Sequence, residues 1–268
     1  HPPHSGQSCK SIFCARASTE CEEHWNFKEI CVLRMPRERV RVLYLHGLEE
    51  QASSPKPAAL AADARIELHV PRLDIWLTRR NSPLLSALVV AAPGLLGICG
   101  AAYLAYTLAL LDASTAAAGA IASAVAAGYA CRGSLMARAV GRSVDVSYRI
   151  AVDALASFEP DIIVGFSWGG HLACRMVSEG LWTGGVLLLA PAHAKISTLT
   201  RRSPLLDVPL HPKRSRVVHS RADQLVPIDH SRQLCRAGVP LTEVDDEPHK
   251  LWAVAPQLAD MVVELSRA

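Results

Sequence analysis

The chain has 268 residues, half of them hydrophobic and 20% charged, with 28 basic against 25 acidic side chains and a formal net charge of +3. That length is enough for a sizeable core in one large or two small domains, and the composition excludes an intrinsically disordered chain. So small and dispersed a charge gives no argument for a nucleic-acid partner, while a mean hydropathy of +0.18 leans toward membrane contact or a large buried fraction.

Residues 1–38 mix Cys, Ser, Glu and Arg without a sustained period and read as an N-terminal extension, with one edge strand expected around Ile30 to Met35. The chain starts at His1 rather than Met, so we expect a segment, such as a targeting sequence, to precede it. Cys9, Cys14, Cys21 and Cys31 lie here beside His4 and His24, but their irregular spacing argues against a metal knot. The eight cysteines include no C-x-x-C pair and read as mostly reduced thiols.

From Arg39 onward, short β-branched runs alternate with Ala- and Leu-rich stretches, the pattern of βα units and a mostly parallel, doubly wound α/β sheet. Strands are predicted at Val40 to Leu45, Ile66 to Val70, Asp161 to Gly165, Gly185 to Ala190, Arg216 to His219 and Leu241 to Val244. Helices are predicted near Lys56 to Asp63, Ser147 to Phe158, Trp168 to Glu179, His230 to Ala237 and Pro256 to Ser266. The basic run Lys213, Arg214 and Arg216 reads as the solvated start of a strand.

One segment breaks the rhythm: residues 81–131 contain a single charge, Asp112. Residues 81–111 are an uncharged apolar run longer than the ~20 residues a bilayer crossing needs. The stretch 113–131 is weaker, but the four-residue spacings of Gly119 with Ser123 and Ala124 with Gly128 suit close helix packing. A hydrophobic helical hairpin is expected over 81–142, as a membrane anchor or as a soluble cap. Arginines on both flanks would keep the domain formed by 39–80 and 143–268 on the cytosolic side.

The chemistry is concentrated after the third predicted strand. Asp161 to Gly170 runs from an apolar strand into Gly165-Phe166-Ser167-Trp168-Gly169, the G-x-S-x-G pattern, and then into a helix. Such a turn holds its serine in a strained conformation above the sheet, and side chains at Gly165 or Gly169 would clash where strand meets helix. A serine nucleophile needs a histidine base and an orienting carboxylate. Asp223, just past a strand, and His249, in a polar loop after the last strand, complete the order Ser, Asp, His. Asp229 is explained by capping a helix, and Asp245 and Asp246 by solvation. His69, His171, His193 and His219 read as structural, with pocket lining as the alternative for His193. Oxyanion donors are expected from the backbone N–H groups of Leu48, after the turn at Gly47, and of Trp168.

The segments Leu43-Tyr44-Leu45-His46-Gly47, Gly165-Phe166-Ser167-Trp168-Gly169-Gly170, Asp223 with Val226-Pro227, and His249 together resemble the α/β-hydrolase superfamily, especially its small single-domain esterase-like members. The stretch Ser53-Ser54-Pro55-Lys56 is similar to the same group. The resemblance covers residues 39–80 and 143–268. It implies a triad of Ser167, His249 and Asp223 at the carboxyl edge of the sheet but no single substrate; a small acyl ester is the leading expectation, for which no metal or organic cofactor is required. It leaves esterase, thioesterase, lipase and peptidase open, along with a non-catalytic binding protein. Only residues 191–215 join the strands between which many members insert a cap, so no large lid is expected there.

Overall fold

The computed structural model describes residues 38–48, 50–75, 115–205 and 207–268, and of residues 115–132 and 135 the backbone alone. The N-terminal extension with its expected edge strand and cysteine cluster, and the apolar run 81–111, lie outside the described residues.

Among the described residues six parallel strands form one sheet in the order β2-β1-β3-β4-β5-β6. They are β1 (Val40–Leu45), β2 (Ile66–His69), β3 (Ile162–Phe166), β4 (Gly185–Leu189), β5 (Ser215–Ser220) and β6 (Leu241–Val244). Central strands that are covered on both faces must be apolar at every position. β3 is buried at all five residues, and so is β4. Side chains nevertheless alternate between the faces. Leu43, Leu45, Ile163, Leu188 and Val217 enter one core layer, whereas Val42, Tyr44, Ile162, Val164, Leu187 and Val218 enter the other.

The α-helices among the described residues are α1 (Pro55–Ala62), α2 (Thr115–Phe158), α3 (Trp168–Ser178), α4 (His193–Thr200), α5 (Ile228–Leu234) and α6 (Leu258–Ser266). α2, α3 and α4 pack on the first layer, through Val140, Val144, Leu172, Met176 and Ile196, while α1 and α6 cover the second through Leu60, Leu258 and Val262. The sheet is thus doubly wound, and strand order reverses between β1 and β3. Above the carboxyl ends of the strands at such a reversal, the diverging connections leave a crevice.

Two expectations need correction. The hairpin's second arm was expected to end near 131, with a separate helix from Ser147; instead a single 44-residue helix runs from Thr115 to Phe158. The 142/143 boundary falls in its middle. The segment contains no proline, and 14 of its 44 residues are alanine with four more arginine, so its four scattered glycines weaken the helix without ending it. The helix α4 was not expected at all. No helix among the described residues is long and apolar enough to cross a membrane.

Candidate active site

Ser167 sits between the last residue of β3 and the first of α3, with φ 50° and ψ −106°. Such a conformation costs a non-glycine residue on the order of 1–3 kcal/mol and persists only where its surroundings enforce it. Here main-chain bonds do so: Ser167 N donates to Leu189 O at 2.9 Å, and Ser167 O accepts from Ala192 N at 3.0 Å and His171 N at 3.1 Å. Glycine neighbours supply the room. A β-carbon on Gly165 would lie 2.9 Å from Gly169 O, and one on Gly169 only 1.8 Å from Leu45 O.

The loop after β1 approaches the same point. A β-carbon on Gly47 would lie 2.7 Å from the Phe166 ring and 3.2 Å from Ser167 Cβ, which brings the backbone leading to Leu48 against the elbow. His46 fixes this turn. Its Nε2 accepts from Leu73 N at 3.3 Å, so Nδ1 carries the proton and donates to Gly47 O at 2.9 Å. Leu48 is 47% exposed. Trp168 begins α3, and first-turn amides have no partner within their own helix.

Ser167, His249 and Asp223 come together. His249 Nδ1 lies 2.6 Å from Asp223 Oδ2, and its Nε2 lies 2.8 Å from Ser167 Oγ. A carboxylate only accepts, so Nδ1 bears the proton of the neutral ring and the Nε2 lone pair faces the serine hydroxyl. The Asp223 side chain is 1% exposed. Its Oδ1 accepts from the N–H groups of Leu225 (2.8 Å) and Val226 (2.9 Å). Burial pushes this carboxyl up, but hydrogen bonds from His219, His249 and Val226 outweigh it and hold it below the usual carboxylate range.

Other parts of the fold secure these loops. Lys56 on α1 is 1% exposed, and its Nζ lies 3.0 Å from Glu50 Oε1 and 3.7 Å from the centre of the Phe166 ring. The same ammonium donates to Lys250 O at 2.6 Å, next to His249. Glu50 Oε2 accepts from Gly47 N (3.3 Å) and from the Tyr44 hydroxyl (3.1 Å). One buried ion pair therefore joins the Gly47 turn, the strand before the serine and the histidine loop. Burial lowers the Lys56 pKa, and Glu50 opposes the shift. On the opposite side of the histidine loop, Ser220 Oγ donates to Glu247 O at 2.5 Å.

Sequence reasoning missed the contacts of His219. It is fully buried, and its Nε2 lies 3.1 Å from Asp223 Oδ2 and 3.0 Å from Val226 O while its Nδ1 lies 2.6 Å from Ser231 Oγ. Both Nε2 neighbours are acceptors, so Nε2 carries the proton and the Ser231 hydroxyl donates to Nδ1. The four-residue spacing of His219 and Asp223 was visible, but only the return of the chain after β5 brings the carboxylate back onto the ring. Lys56 and Glu50 gave no sequence sign of burial.

The competitors are explained. Asp229 does not cap its helix, whose N-cap is Pro227; it pairs with Arg232 at 3.0 Å. Asp245 pairs with Arg221 at 2.7 Å on the surface. His171 and His193 are buried beside the elbow, and burial lowers each to about 4, so both are neutral. Among the described residues Cys174 and Cys235 are free thiols, and no cluster of side chains has the makings of a metal site.

No protein-family model matches this chain, and no curated protein does either. Solved structures similar to it include a Xanthomonas campestris pv. campestris protein placed by its name in the α/β superfamily of hydrolases (19% identity, TM-score 0.47, covering 85% of this chain and 97% of that one). Another is the ydeN gene product of B. subtilis (13% identity, TM-score 0.49, covering 85% and 100%). A third is an alpha-beta serine hydrolase homologue from Coxiella burnetii (9% identity, TM-score 0.44, covering 84% and 83%). What assigns the fold is internal to the chain: the strand order, the serine elbow after β3, and the acid and histidine loops after β5 and β6.

Proposed function

We propose that this chain, which has the α/β-hydrolase fold, is a serine hydrolase that cleaves carboxylic esters through an acyl-enzyme on Ser167. The observation that carries this reading is the continuous hydrogen-bonded line from Ser167 Oγ through His249 to Asp223, at 2.8 Å and 2.6 Å.

The Ser167 hydroxyl donates toward the His249 Nε2 lone pair. As Oγ attacks the ester carbonyl, His249 takes the proton and becomes an imidazolium, which the ionised Asp223 stabilises through Nδ1. The carbonyl oxygen gains negative charge and is held by the N–H groups of Trp168 and Leu48. His249 then returns the proton to the leaving alcohol, and the ester bond breaks to leave the acyl group on Ser167. Water, deprotonated by the same nitrogen, attacks that acyl group, and the acid departs as Oγ recovers its proton. The completed cycle returns Ser167, His249 and Asp223 to their starting states.

The pocket walls, which select acyl size, are set by loops outside this line of atoms. Labelling of the full chain with a fluorophosphonate, followed by turnover of graded p-nitrophenyl acyl esters, tests the reading. Labelling of the parent that is lost in Ser167→Ala and sharply reduced in His249→Ala is expected. A folded parent that neither labels nor turns over any ester overturns it and leaves a binding protein built on a hydrolase scaffold.

A further inference from the structure

Away from the crevice, the outer stripe of α2 and the end of α4 enclose an open groove of about 580 Å³. Its wall carries Arg138, Arg142 and Arg149 from α2, Arg201 and Arg202 from the end of α4, and one acid, Asp145. The α2 positions recur at intervals of three and four residues, which places them on one side of the helix. Five guanidinium groups against one carboxylate make this wall strongly basic in a chain whose overall charge is only +3.

Two of the arginines are held in place by the fold. Arg201 takes the left-handed conformation that ends α4, with φ 55°. Its guanidinium donates to Ser134 Oγ at 2.7 Å and lies where a β-carbon on Gly133 would approach it to 3.1 Å. Arg202 lies over Gly141 in the same manner, at 3.4 Å, and its fork binds Asp145 at 2.7 Å and 2.6 Å. The only acid of the wall is thereby used up, by Arg202 and by Arg175 at 3.2 Å. Arg138, Arg142 and Arg149 stand exposed beside it, with no ion pair among the described residues.

We infer that this arginine-lined groove receives the phosphate headgroups of an anionic lipid surface. The planar, permanently charged fork of arginine matches phosphate oxygens two at a time. A concave wall that combines unpaired forks with forks held in place by the fold presents several to neighbouring headgroups. The lipid source, rather than a soluble phosphate, is favoured by the sequence before these arginines: residues 81–131, which end inside α2, hold one charge in 51 positions, and the arginines begin directly after them. Arg138 and Arg142 follow that run on α2 by about two and three helical turns, and Lys or Arg next to an anionic surface each strengthen binding about fivefold. The inference does not depend on the proposed hydrolase activity.

The test is cosedimentation of the full chain with sucrose-loaded vesicles, of phosphatidylcholine alone and of phosphatidylcholine enriched in phosphatidylglycerol. Neutral vesicles report what the apolar run contributes, and the difference between the two reports the groove. A preference for anionic vesicles that weakens with salt, and that falls at least tenfold in the triple variant Arg138→Glu, Arg142→Glu, Arg149→Glu, is expected. The milder Arg138→Gln, Arg142→Gln, Arg149→Gln set is expected to lose part of it, which covers the case in which charge reversal unfolds α2. Retained circular dichroism checks that both sets are folded. Equal binding to both vesicle types, or a preference unchanged in the folded variants, overturns the inference. So does titration with soluble glycerophosphoglycerol that binds the parent tightly while vesicles are ignored, an outcome that assigns the groove to a small free anion.

Discussion

At the scale of single residues, the site depends on protons having one place to go. His249 is flanked by an acceptor-only carboxylate and by a hydroxyl, which fixes its tautomer without any further device. Ser167→Ala and His249→Ala should each lower kcat on p-nitrophenyl esters by about 10⁴-fold or more, with the thermal transition little changed. Retention of a tenth of the parent rate in either variant would rule out the assigned roles. His219 acts one step further away, by donating to the same carboxylate oxygen as His249. With this donor lost in His219→Phe, the Asp223 charge is less satisfied and holds the His249 imidazolium more strongly. The acid limb of the kcat/KM profile should therefore move to higher pH, with kcat reduced by roughly tenfold. An unmoved limb would show that His219 only packs. The variant should also lose about 1–3 kcal/mol of stability, since Val226 O and the Ser231 hydroxyl are left buried without their partner. At Gly169 the constraint is space. Gly169→Ala puts a β-carbon 1.8 Å from Leu45 O, so α3 must move away from β1, and soluble yield and Tm should both fall sharply.

At the scale of elements, three loops from different strands must meet, and the buried Lys56–Glu50 pair is the link between two of them. It binds Gly47 N on one side and Lys250 O on the other. Removing one member of a buried pair leaves an uncompensated charge, at a cost of about 3–5 kcal/mol. Lys56→Met should lower the denaturant midpoint accordingly and reduce kcat more than it raises KM, because the displaced loops carry reacting groups rather than a binding wall. A variant with normal kcat would show that the two loops hold their places without the pair. The elements also show what a sequence pattern conveys. β3 and β4 were legible because an unbroken apolar run of five between turn residues has few alternatives. The helix α4 was not, because His193 to Thr200 is rich in Ser and Thr and has no apolar stripe of its own. It forms because Ile196 packs onto the sheet layer and because Ala192 N is bound to Ser167 O. The reach of α2 was misjudged for the converse reason: Ala and Gly suit a lipid-facing hairpin and a long helix over a domain equally well.

At the scale of the whole molecule, the core closes over two neutral imidazoles. His171 and His193 are pushed down to about 4 by burial, against roughly 6.5 for a free imidazole. Between those values the unfolded chain takes up two protons that the folded chain refuses. Their contribution to stability is therefore complete above about pH 6.5 and is lost as the pH falls toward 4, with a slope of up to about 2.7 kcal/mol per pH unit. Urea midpoints measured from pH 7 to 4.5 should fall along that window, and a flat profile would mean that these rings are reached by protons while the fold is intact. Asp223 adds to this only in stronger acid, since its carboxyl is held below the usual range. By itself the sequence determined the parallel α/β layering, the serine turn and the chain order of Ser167, Asp223 and His249, because strand periodicity, glycine spacing and loop position are local properties. Only the tertiary structure decided that Oγ and Nε2 stand 2.8 Å apart, that His219 shares Asp223, that Lys56 is buried, and that arginines from α2 and α4 line one groove. Each of these joins segments distant in the chain, and the distance between such segments is set by how the whole core packs, which no local pattern records.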